Sequence, residues 1–197
     1  PADLVDKADE IRIELESLDA SDEQLEALRE KEVELAERLR EQAARLSAAR
    51  RQAATALEQA VTERMQALGM SGGSFSVALT ATSEEPPGPL GAERVEFQVA
   101  ANPGQAGGPL ARIASGGELA RISLALQVAA RRSQGLASLV FDEVDSGVGG
   151  GIAEIVGTQL RELSDSRQVL CVTHLPQVAS QADHHLRIVK VSDGETT

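Results

Sequence analysis

Leu139-Val140-Phe141-Asp142-Glu143 is the stretch on which the reading of this chain turns. The apolar run from Leu136 to Phe141 is too short for a helix. It has the continuous hydrophobicity of a strand buried on both faces of a parallel sheet. Two consecutive carboxylates stand at its C-terminal end, the edge where α/β sheets place their ligands. Asp142 suits a Mg2+ held through water, because that hard cation keeps several waters. Glu143, pointing the other way, suits a base that takes a proton from an attacking water. A strand ending in two solvated acids is the plainer alternative for the pair taken alone. Val144-Asp145-Ser146-Gly147 follows as a polar turn.

Outward from this strand, helices alternate with strands. Upstream, Glu118 to Arg132 reads as a helix with Leu119, Ile122, Leu126 and Ala129 on one face. It is preceded by Ala114-Ser115-Gly116-Gly117-Glu118. Paired glycines let the backbone approach a ligand, and the helix start offers free N–H groups with a Ser hydroxyl beside them. A simple capped helix start is the alternative. Downstream, glycines 147, 149, 150 and 151 lead into a helix carrying Ile155, Val156, Leu160 and Leu163. A second apolar strand, Val169 to Val172, ends on Thr173 and His174, where an imidazole can meet a terminal phosphate or orient water. A structural histidine is the alternative. A short helix from Pro176 and a last strand through Leu186, Ile188 and Val191 complete this part. Helices alternating with buried strands predict a mostly parallel, helix-covered sheet. Phe75, Val77 and Leu79, then Val95, Phe97 and Val99, alternate as a strand pair joined by a Pro- and Gly-rich loop.

The first part of the chain differs in composition. It is rich in Ala, Glu, Leu, Arg and Gln, with no Gly before Gly69 and no Pro after Pro1 until Pro86. A helical piece from Leu4 to Leu18 is expected to break at Asp19-Ala20-Ser21-Asp22, where Ser21 and Gln24 form a plausible capping box. A second helix then runs to Leu68, with Leu28, Leu35, Leu39 and Leu46 spaced as a coiled-coil seam. The domain division expected is therefore 1–70, an antiparallel coiled-coil arm segment, and 71–197, an α/β lobe. An amphipathic helix packed on its own domain is the alternative for the arm.

A formal net charge of -12 over 197 residues argues against a surface that grips nucleic acid throughout. The single cysteine, Cys171, excludes an internal disulfide framework and suits a reducing compartment. No apolar stretch is long enough to span a membrane, and no export signal is visible, so a cytoplasmic location without membrane partners is expected. The start at Pro1 hints at processing or at a piece of something longer.

Taken together, Ser115 to Glu118, Leu139 to Glu143, Asp145 and His174 resemble the signature, Walker B, D-loop and switch-histidine segments of ABC-type ATPases. Their wider wording, attached to a long helical arm, is similar to the SMC-like members that act in bacterial DNA repair. The resemblance implies the C-terminal lobe of an ABC/SMC-type P-loop ATPase head with a coiled-coil arm. It implies ATP and Mg2+ as ligands. Ser115, Gly116, Gly117 and Glu118 would bind the nucleotide of an opposite head, with Ser115 and Gly117 at its γ-phosphate. Asp142 would support Mg2+, Glu143 would be the catalytic base, Asp145 would couple the two sites and His174 would sense the γ-phosphate. The implied partners are an N-terminal lobe of the same protein, a second head in a homodimer, and DNA, in a nucleoid-associated setting. In the complete protein, ATP-dependent head pairing would control the holding or tethering of DNA ends in double-strand break repair and recombination.

The sequence departs from that pattern in one respect: it contains no G-x-x-x-x-G-K-[ST] loop and no Gly-Lys pair. The lysine and backbone nest that cradle the β- and γ-phosphates are therefore missing. The chain by itself is expected to bind ATP weakly and to hydrolyse it negligibly. A nucleotide-binding subunit of an ABC transporter shares these motifs, although the long arm counts against it. A coiled-coil scaffold with a degenerate head is the non-enzymatic alternative, and the intact Glu143 and His174 count against that.

Overall fold

The computed structural model describes residues 2–83, 86–104, 106–112, 115–130 and 136–189, with the side chains of 2–6, 9 and 16–21 outside the description. Helix α1 spans Ala2–Ala67 as 66 continuous residues. The expected break at Asp19 to Asp22 does not occur, and α1 does not turn back on itself. Asp and Ser inside a helix each cost only some tenths of a kcal/mol relative to Ala, and no Gly or Pro adds to them. The seam leucines Leu28, Leu35, Leu39 and Leu46 are all exposed. The antiparallel partner that such a seam calls for is therefore not among the described residues.

Helix α1 ends in a Schellman arrangement. Met70 N–H donates to Met65 C=O at 3.1 Å and Gly69 N–H to Gln66 C=O at 3.2 Å. Gly69 takes φ of +88°, which a side chain resists, and a Cβ there would stand 2.9 Å from Ile152 Cδ1. Strands β1 (Ser74–Ala81), β2 (Glu93–Ala100) and β3 (Gly108–Pro109) form a sheet in that order. β2 and β3 are antiparallel, with Val99 opposite Gly108. Two N–H groups of β1 are satisfied by α1 side chains: Phe75 donates to Thr62 Oγ1 at 3.0 Å and Val77 to Glu58 Oε1 at 2.7 Å. An exposed strand edge is thereby closed by a helix instead of another strand.

A 3-10 turn, Leu110–Arg112, precedes α2 (Gly116–Ala129). Then come β4 (Ser138–Phe141), α3 (Gly150–Ser164), β5 (Gln168–Cys171) and the short α4 (Pro176–Ala179). β4 and β5 are parallel, with Val140 opposite Leu170 and Phe141 opposite Cys171, so β4-α3-β5 is one crossover unit. The strands thus form two sheets among the described residues, β1-β2-β3 with β2 and β3 antiparallel, and the parallel pair β4-β5 that carries the crossover expected of the α/β lobe. No strand forms over 182–189: Leu186 and Ile188 are almost fully exposed. Val191 lies outside the described residues.

The described residues up to Arg50, with Thr80–Arg94, make one compact unit; Arg51–Leu79 and the described residues from Val95 onward make another. In the first, Arg50 Nη1 donates to Glu93 C=O at 3.3 Å and the Gly91 turn lies against Leu46. The second holds the main core. Val61, Met65 and Leu68 from the end of α1 are buried with Ile122, Leu124 and Val128 of α2, Phe141 of β4 and Val156 and Leu163 of α3. The last turns of α1 are thus part of this core. The buried face of α2 runs through Arg121, Ile122, Leu124, Ala125 and Val128. Leu119, expected inside, is exposed.

Candidate functional site

All the expected site residues lie in the second unit, on α2, on the turn after β4 and just past the end of β5. Ser115 is the N-cap of α2: its extended backbone lets Oγ accept from Glu118 N–H at 3.4 Å. The capped-start alternative is thus realised, and the hydroxyl hydrogen remains a donor for an anion at the helix start. Gly117 is buried, whereas Ser115 and Gly116 are exposed.

The turn after β4 is unusual in its backbone. Glu143 adopts φ of +58°, the one non-glycine residue with positive φ among those described. Such conformations are costly and concentrate where function holds them. The turn is closed by Ser146 N–H donating to Glu143 C=O at 2.9 Å, and Asp142 Oδ1 accepts from Glu143 N–H at 2.9 Å. The result separates neighbouring acids: Asp142 and Glu143 are exposed, while Val144 and Asp145 are buried. Glu143 reaches the start of α2, its Oε2 only 2.5 Å from where a Cβ on Gly116 would stand. Glycine at 116 is what makes room for that carboxylate.

Asp145 is 2% exposed, so its carboxylate lies within the fold. Its Oδ2 accepts from Thr173 Oγ1 at 2.5 Å and from His174 N–H at 3.2 Å. The same oxygen lies 3.4 Å from His174 Nδ1, whose ring is otherwise exposed. These contacts tie the turn after β4 to the end of β5. Burial raises the Cys171 thiol to about 11, with the Asp145 and Asp142 charges adding to it, so this edge has a negative field.

Two participants escaped the sequence reading. Arg121, on the buried face of α2, donates from Nη1 to Ser146 C=O at 2.8 Å and so clamps the turn after β4 onto α2. Its Nε is buried without a hydrogen-bond partner, and burial lowers its affinity for the proton, with the Glu118 charge opposing the shift. An arginine three positions past the signature glutamate, on the apolar side of the helix, was the available signal. Thr173, the other, carries no sequence signal beyond its place before His174, yet its hydroxyl donates to Asp145 Oδ2.

The packing here predicts an order among glycine variants. A Cβ on Gly117 would stand 3.1 Å from both Cβ and the carbonyl oxygen of Ser146 and 3.3 Å from Arg121 Nη1. Gly117→Ala is expected to cost about 1–3 kcal/mol of stability, because the clamped turn must move. Gly116→Ala meets only the flexible end of Glu143 and should cost less. Thermal unfolding of both variants checks this, and equal or reversed losses would contradict the packing described.

No described group of three or more His, Cys, Asp and Glu side chains is placed to hold a metal ion. Asp142 alone, exposed at a strand end, fits the single carboxylate that a largely hydrated Mg2+ needs. No helix among the described residues is long and apolar enough to cross a membrane.

No family model matches the chain. The chain is 52% identical over 136 residues to the DNA repair protein RecN of Xylella fastidiosa, a match covering 68% of this chain and 24% of that protein. It is 44% identical over 190 residues to the DNA repair protein RecN of Haemophilus influenzae, covering 96% of this chain and 34% of that protein. The chain thus spans about a quarter to a third of the length of these relatives. Among solved structures, an Smc head domain with an extended coiled coil from Pyrococcus furiosus matches with a TM-score of 0.48 and 24% identity, over 66% of this chain and 30% of that one.

Proposed function

We propose that this chain, which belongs to the RecN family of SMC-like proteins, supplies one half of an ATP-hydrolysing head. The complete protein acts in DNA double-strand break repair and recombination. There, ATP-driven pairing of two heads in a homodimer controls the holding of DNA ends. The observation that carries this reading is the meeting of Glu143 with Gly116 at the start of α2. It brings a carboxylate base and an anion-binding helix start together at the sheet edge where β4 and β5 end.

The roles divide by chemistry. Glu143 takes the proton of the attacking water, and its unusual backbone holds the carboxylate clear of Asp142. Ser115 and the N–H groups at the start of α2 bind the phosphate of a nucleotide on the opposite head. His174 meets the terminal phosphate. Asp142 is the residue that would hold Mg2+, which when bound neutralises charge on the transferring group. Catalysis is mainly positioning and charge stabilisation.

The β- and γ-phosphates need a phosphate loop that this sequence lacks, so a lobe carrying one completes the site. An uncovered apolar patch supports such a lobe: Val140 and Leu170 are register partners and both exposed, as is Val172. Likewise the exposed seam of α1 supports a second coiled-coil strand. DNA contact falls to surfaces beyond this chain, whose charge balance of -12 favours repulsion. The transporter alternative loses ground, because the relatives matched are named for DNA repair. ATP hydrolysis by the chain with and without the lobe bearing the phosphate loop tests the proposal.

A further inference from the structure

We infer that Asp145 is the positioning residue of His174, a role that rests on the ATPase reading above. A buried carboxylate is costly unless its oxygens are engaged. Here one oxygen, Oδ2, receives the Thr173 hydroxyl, the His174 N–H and the approach of His174 Nδ1. The Thr173 hydroxyl in turn accepts from Leu175 N–H at 3.1 Å, so the residues on both sides of His174 are fastened to the same centre.

The consequence for the ring is specific. The carboxylate charge 3.4 Å from Nδ1 favours the tautomer with hydrogen on Nδ1, and the Oδ2 bond to His174 N–H fixes the backbone from which the imidazole projects. Nε2 is then the free nitrogen for a phosphate oxygen or its attacking water. The turn that carries Glu143 is closed separately, by the backbone Ser146 to Glu143 hydrogen bond, without the Asp145 carboxylate. Arg121 holds that turn from the other side.

The test is a double-mutant cycle on the complete protein, with Asp145→Asn, His174→Ala and their combination, read as kcat and KM for ATP. Asp145→Asn should lower kcat about 10- to 100-fold, as losing a residue that orients a functional imidazole typically does. KM should stay within about threefold, since the ground-state contacts are kept. In the His174→Ala background the same substitution should cost less than about twofold, because the group it orients is already gone. Thr173→Val should show the same dependence on His174, and Thr173→Ser should restore turnover. This pair keeps the inference testable if Asp145→Asn fails to fold. Equal losses with and without His174 would overturn the inference, as would unchanged kcat in Asp145→Asn. If His174→Ala itself leaves turnover intact, the ATPase roles proposed above fail, and this inference with them.

Discussion

Glu143→Gln in the complete protein should lower the rate of ATP hydrolysis by about 10²- to 10⁴-fold, the range expected on losing a positioned general base. The substitution preserves size and shape, and Glu143 is exposed, so little else in the fold depends on its charge. Its amide can still lie over Gly116, which leaves the start of α2 unobstructed to the same degree. Nucleotide binding and nucleotide-dependent pairing of heads should therefore survive while turnover does not. Phosphate release measured beside light scattering separates the two. Turnover within about twofold of the parent would remove Glu143 from the base role.

The second large effect concerns where the head begins. A chain starting at residue 51 should unfold cooperatively, whereas one starting at residue 71 should not fold. The shorter chain lacks Val61, Met65 and Leu68, all fully buried in the main core. Removing a large buried side chain costs about 2–5 kcal/mol, so losing three removes most of the roughly 5–15 kcal/mol that holds a domain together. It also strips Glu58 and Thr62 from the N–H groups of β1. Circular dichroism with thermal melting distinguishes the two chains. Cooperative melting of the shorter one would show that the end of α1 is dispensable to the head.

These features differ in how far the sequence disclosed them. β4, α3 and β5 were legible as elements because a short apolar run has few alternatives to a strand, but burial on both faces was not borne out, since Val140 and Leu170 are exposed. The ends of α1 were partly legible: Gly69 and the absence of Gly and Pro marked its C-terminus and its length. Its supposed break was not real, since Asp19 to Asp22 are weak helix formers and not breakers. The face of α2 was partly legible: Ile122, Leu126 and Ala129 pack on the core as expected, whereas Leu119 is exposed. Tertiary packing chose the stripe that includes Arg121. The alternation of Leu186 and Ile188 was a valid strand signal without a neighbouring strand to pair with among the described residues.

At the site, residue types were legible and orientations were not. Asp142, Glu143 and Asp145 look alike in a turn. Only the positive φ of Glu143 sends the first two outward and the last inward, onto Thr173 and His174. That distinction depends on contacts between segments far apart in the chain, which local pattern cannot contain. Gly117 shows the same limit. Its position before a helix suggested ligand approach, yet its immediate neighbours are Ser146 and Arg121.

The central claim is that this chain holds half of an ATPase site, and the most direct measurement is hydrolysis before and after completion. The purified chain is predicted to release phosphate from ATP no faster than background. Mixed or joined with a lobe carrying a phosphate-binding loop and lysine, it should turn ATP over, and Glu143→Gln should abolish that gain. Robust turnover by the chain alone, or continued inactivity of the completed head, would contradict the account.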